Sequence, residues 1–164
     1  MSESQKSKRV ALSWNPEFKD RVPDLEAKLK LINGGLAPTN LDTFMFCLGY
    51  GFANNVKSKI PPKASDAVRI EYLKDEMAFL RLVAMYSTKR EDVLLDVELV
   101  YDEAEMFAGG GLALLVHEMD TNHDFEGYVN SLLFNNIKIM SPVNQDNIIA
   151  RSHKFPDGTV SPVL

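Results

Sequence analysis

The chain has 164 residues and a single cysteine, Cys47, so no internal disulfide is open to it. That suits a reducing compartment. Cys47 lies in the apolar run Phe44-Met45-Phe46-Cys47-Leu48 and reads as a buried structural thiol rather than a nucleophile. The chain also lacks any stretch near the roughly 18 consecutive apolar residues of a membrane span. Its first nine residues, Met1-Ser-Glu-Ser-Gln-Lys-Ser-Lys-Arg9, contain no apolar core of the kind a secretory signal needs. These absences lead to the expectation of a cytoplasmic protein with no membrane attachment. Strand-like alternation is scarce, and there are no internal repeats and no low-complexity tract.

Histidines number three, and their spacing excludes a familiar metal helix. A zinc protease helix places two histidines four residues apart, so that both reach one ion. His117 and His123 are six apart, on roughly opposite helix faces. Asp120, Asn122, Asp124 and Glu126 alternate like calcium ligands, but that loop wants Gly at its sixth position and Glu at its twelfth. The chain has Phe125 and Ser131 there. A metal-dependent hydrolase at His117, Glu118, Asp120 and His123 is therefore the least supported reading. No Ser, His and acid trio is evident, so no catalytic residue, metal or cofactor is assigned.

Charge is abundant but unevenly spread. Between Glu91 and Ile137 stand eleven acids (Glu91, Asp92, Asp96, Glu98, Asp102, Glu103, Glu105, Glu118, Asp120, Asp124, Glu126) and no Lys or Arg. The remainder holds the other 12 acids and all 18 bases. Either the two halves neutralise each other on folding, or the second half presents an acidic surface. The latter would dock a partner with a basic surface, with Glu91, Asp92, Asp96, Glu98, Asp102, Glu103 and Glu105 as the contact residues. The bases offer a different reading. Lys6, Lys8 and Arg9 lie on the N-terminal arm, and Lys57, Lys59 and Lys63 in a loop with Pro61 and Pro62. Such residues neutralise phosphates and would make a nucleic-acid-binding module. The net charge of −5 weighs against it.

Periodicity gives an all-α fold, a compact bundle of five or six helices with room for a small terminal hairpin. Residues 1–9 read as a disordered basic arm, 10–141 as one helical domain and 142–164 as a loosely held tail. Val10 to Trp14 fits a short strand or a packed lead-in. Asn15-Pro16-Glu17 starts a helix towards Ile32, unless Pro23 divides it, and Asn33-Gly34-Gly35 ends it. Thr39-Asn40 opens the next, with Leu41, Phe44, Met45, Leu48 and Phe52 on one stripe. The widest apolar arc runs from Arg69 to Ser87, over Tyr72, Leu73, Met77, Phe79, Leu80, Val83, Ala84 and Tyr86. A helix apolar over that arc belongs at the centre of a core. Arg90 begins a further helix towards Glu118, and Phe125 to Phe134 a last one. Ala108, Gly109, Gly110 and Gly111 lack the nearby cation of a phosphate loop. They read as a kink or as a face of minimal bulk for helix packing.

Three blocks resemble a known family: Leu41-Asp-Thr-Phe-Met-Phe-Cys-Leu-Gly-Tyr-Gly-Phe52, Tyr72-Leu-Lys-Asp-Glu-Met-Ala-Phe-Leu-Arg-Leu-Val-Ala-Met85 and Glu105-Met-Phe-Ala-Gly-Gly-Gly-Leu112. They look like the small accessory proteins found beside DNA phosphorothioation islands, the Dnd system-associated protein 4 family. Those loci are bacterial antiphage defence systems that mark DNA with sulfur and restrict what is unmarked. The resemblance covers roughly Trp14 to Leu115 and brings no catalytic residues. It implies a non-enzymatic accessory protein of a defence or DNA-processing system, with other subunits of that system among its partners.

Overall fold

The computed structural model describes residues 9–59 and 66–140, with only the backbone of 134–140. In chain order they form β1 (Ala11–Ser13), α1 (Val22–Ile32), α2 (Asn40–Ala53), β2 (Asp66–Arg69), α3 (Met77–Thr88), α4 (Val97–Thr121) and α5 (Phe125–Met140). Short 3₁₀ turns precede α1, α3 and α4. The fold is mostly helical, with five helices and one two-stranded sheet among the described residues. By its packing the chain divides into two units, one up to Glu126 and one from Gly127. The described part of the second is the remainder of α5. The arm up to Lys8 and the tail from 142 lie outside the described residues.

Local chemistry sets most helix ends. The Thr39 hydroxyl accepts the Asp42 N–H at 3.1 Å, and the Asp42 carboxylate accepts the Thr39 N–H at 2.8 Å, a reciprocal box at the start of α2. The Asp96 carboxylate accepts the Leu99 N–H at 3.1 Å and starts α4. α1 begins at Val22, with Pro23 in its first turn, rather than at Pro16. Proline suits that turn because its missing N–H would have no helical partner there. α1 closes on Gly34 and Gly35, both at positive φ, where the Gly35 N–H donates to the Lys30 carbonyl at 2.8 Å.

Other expectations are corrected, among them the helix from Arg90, which is a 3₁₀ turn at Asp92–Leu95 with α4 starting at Val97. Arg69 to Tyr72 does not begin the third helix: β2 ends at Arg69, a 3₁₀ turn follows, and α3 starts only at Met77. The cause is non-local, since Ala11 pairs with Arg69 and Leu12 with Val68 across the antiparallel sheet. This sheet joins distant segments and is no terminal hairpin. Another correction concerns the centre of the core. That place belongs to α4, which buries residues along most of its length, from Val100 to Val116. At about 1.5 Å per residue it is about 37 Å long. α2 and α3 pack against it, and α1 and β1 also touch it.

The reason is bulk. α4 runs unbroken through Gly109-Gly110-Gly111, all buried. A Cβ at Gly111 would run into the Cys47 carbonyl of α2, and one at Gly51 into the Phe107 carbonyl of α4. α2 and α4 therefore cross backbone to backbone. A Cβ at Gly110 would meet the Val56 carbonyl, and one at Gly109 the Ser58 side chain, so the loop after α2 lies on α4 just as closely. Phe44, Cys47, Leu48, Phe107 and Leu112 are buried among the core residues.

Candidate functional site

Much of the acidic run is paired with bases from elsewhere in the chain, and Glu103 and Glu105 are buried. Arg9 folds back onto α4 with its side chain only 6% exposed. It lies 3.2 Å from Glu98, 2.6 Å from Asp102 and 3.2 Å from Glu105. One turn of helix separates each acid from the next, so a single guanidinium meets three carboxylates on one face. Glu105 is itself buried, and its other oxygen accepts the Ser13 N–H of β1 at 2.7 Å. Burial works against the charge on Arg9. The hydrogen bond to Asp102 and the charges of Glu105, Asp102 and Glu98 outweigh it and hold its pKa above the ordinary arginine value. Nearby Tyr101 is pushed up, first by burial and then by the charge of Glu98.

The other acids follow the same pattern. Lys57 sits 2.7 Å from buried Glu103 and 4.9 Å from the centroid of the Phe107 ring. The adjacent Ser58 N–H donates to the Met106 carbonyl at 2.8 Å. Arg21 reaches Asp120 at 2.6 Å, Lys28 reaches Glu126 at 3.9 Å, and Arg90 pairs with Asp92. Asp92, Glu98, Asp102, Glu103, Glu105, Asp120 and Glu126 are thus matched by the chain's own bases, and Asp96 caps α4. The segregation along the sequence is partly offset in space, and pairing reduces the field these carboxylates present to a partner.

The basic candidates are depleted by the same pairing. Arg9 and Lys57 are held on α4, Lys59 is exposed, and Lys6, Lys8 and Lys63 lie outside the described residues. Of the metal candidates, Asp120 is tied to Arg21. Among the described residues no three His, Cys, Asp or Glu side chains lie close enough together to hold a cation. Cys47 is fully buried, and that burial, with the charge of Glu26, pushes its thiol up. A cleft of about 780 Å³ lies between the start of α2, β2 and the lead-in to α3, with Thr39, Val68, Arg69, Tyr72 and Glu76 in its wall. Among the described residues no histidine or cysteine lines it, and Arg69 is turned to Glu71 at 3.5 Å.

A further surface feature is apolar. α3 buries Leu80, Val83 and Ala84 against the core, yet its opposite face is largely apolar too, with Arg81 as its one exposed charge inside the helix. Leu82 is 50% exposed, Tyr86 57%, and Met85 and Ala78 also face outward. The 3₁₀ turn Asp92–Leu95 packs beside α3 and leaves Leu94 and Leu95 exposed, Leu95 at 86%. Tyr86 is propped edge-on against Phe52, their ring centroids 5.2 Å apart. The signal was present in the sequence as an apolar arc on α3 wider than one packing partner can cover. It was read as centrality, whereas the glycines of α4 mark the central helix. Comparison with known protein families, with curated proteins and with solved structures gave no match.

Proposed function

We propose that the protein is a non-catalytic interaction domain that docks a partner through the apolar outer face of α3 and the adjoining Leu94 and Leu95. The observation that carries this reading is the exposure of Leu82, Met85, Tyr86 and Leu95 on neighbouring elements. Apolar side chains gathered at a surface mark binding sites more often than scattered ones do. Aromatic and methionine anchors suit the centre of an interface. The resemblance to the accessory proteins of DNA phosphorothioation islands supports assigning the role to a bacterial antiphage defence or DNA-processing system. The partner is then a protein of that system with a complementary apolar surface.

Apolar docking and acidic docking respond oppositely to salt. The test is co-purification with the proteins encoded beside this one, at low and at molar sodium chloride. The partner is expected to stay bound in both, and to be lost from Leu82→Glu and Leu95→Glu variants that keep the wild-type circular dichroism. A partner that salt releases and that both variants retain overturns the reading.

A further inference from the structure

The outer face of α3 has matching chemistry read from either end. Leu82 lies near its middle. Asp75, in the turn leading into the helix, and Lys89, at its C-terminal cap, each stand seven residues away. That turn is already helical, since the Met77 N–H donates to the Leu73 carbonyl at 3.0 Å. At ~1.5 Å per residue the two charges lie about 10 Å to either side of Leu82. Both are exposed, and neither forms an ion pair among the described residues. Lys89 instead holds its ammonium over the Tyr86 ring, 3.6 Å from the centroid. Between the two charges the surface is Ala78, Leu82, Met85 and Tyr86, small at one end and bulky at the other, with exposed Arg81 along its edge.

We propose that a second copy of this chain occupies this face, the two α3 helices packing antiparallel about a two-fold axis at Leu82. The proposal rests on reading the face as a docking surface, and it names a second copy as the occupant when the partner protein is absent. Asp75 of each copy then meets Lys89 of the other, near the centre line of the contact. Ala78 gives room to Met85 and Tyr86 of the second copy, and Leu82 packs on Leu82. A parallel pairing would set Asp75 against Asp75 and Lys89 against Lys89, so the charges select the antiparallel one. A single short helix face makes a small isologous contact, so the association is weak, in the micromolar range.

Sedimentation equilibrium of the full chain from low micromolar to submillimolar concentration tests this. The wild type is expected to pass from monomer to dimer. Asp75→Lys and Lys89→Asp, each alone, set like charges together twice and are expected to weaken dimerisation by about tenfold. Mixed, the two variants regain both attractive pairs and form a heterodimer at wild-type strength. Leu82→Glu, at a half-exposed position, abolishes association without unfolding the chain. A monomeric wild type overturns the self-pairing, as does a dimer indifferent to Leu82→Glu or a mixture that regains nothing. A monomeric wild type that still loses its co-purified partner on Leu82→Glu sinks the self-pairing alone. If Leu82→Glu changes neither association, the docking reading falls as well.

Discussion

Glu105 carries two obligations at once, a buried guanidinium on one side and the Ser13 amide on the other. Removing one partner of a buried ion pair leaves the other charged and desolvated. Glu105→Ala is therefore expected to lower the unfolding free energy by about 3 kcal/mol in urea denaturation. Glu98 touches the same guanidinium, but its side chain is 40% exposed. Water screens that contact, and Glu98→Ala should cost less than about 1 kcal/mol. Asp42 gives a pH signature. The Thr39 backbone N–H, and then its hydroxyl, hold the Asp42 carboxyl below the usual carboxylate range. A pKa that is lower folded than unfolded adds stability above the unfolded value of about 4, and that stability is lost as pH falls through the folded value. The stability gap between wild type and Asp42→Ala should be constant near neutrality and shrink on acidification, as chemical denaturation at a series of pH values will show.

Among the elements, α2 and α4 depend on contact between backbones, and two glycines of similar appearance in α2 and α4 differ in consequence. A Cβ at Gly111 has no space beside the Cys47 carbonyl, whereas one at Gly49 meets nothing within 4 Å. Gly111→Ala is expected to force the helices apart and to cost about 3 kcal/mol or more. Gly49→Ala removes flexibility from an open helical site and should stabilise by about 0.5–1 kcal/mol. Thermal unfolding of the pair checks both signs. α2 was legible in the sequence because Thr39 and Asp42 fix its start within four residues. The α4 glycines were equally legible as candidates for close packing. The start of α3 was not: residues 69–72 continue its apolar pattern, and only the pairing of Val68 and Arg69 with Leu12 and Ala11 draws the chain into the sheet, leaving 70–72 as a 3₁₀ turn. The Arg9 cluster was hidden for the same reason, since its partners lie about ninety positions away in the chain. The outer face of α3 was visible as hydrophobicity, but periodicity alone does not say which of two apolar helices lies inside.

At the scale of the molecule, charge is largely settled internally. The pairs at Arg9 and Lys57 are sheltered from solvent, while Arg21–Asp120, Lys28–Glu126 and Arg90–Asp92 lie in the open. Exposed pairs contribute little, and buried ones escape ionic screening. Raising sodium chloride from millimolar to molar should therefore shift the unfolding free energy by no more than about 2 kcal/mol, measured at fixed pH by urea titration. Anion-specific effects are separated by repeating the titration with potassium fluoride. The placement of α4 has a temporal consequence. The helix against which α1, α2, α3 and the sheet all rest is specified by residues 97–121, downstream of every one of them. Until that segment clears the ribosome, the preceding helices have no common surface to settle on. Those apolar faces thus stay uncovered on the nascent chain until α4 emerges, the interval when a holding chaperone is of greatest use to it.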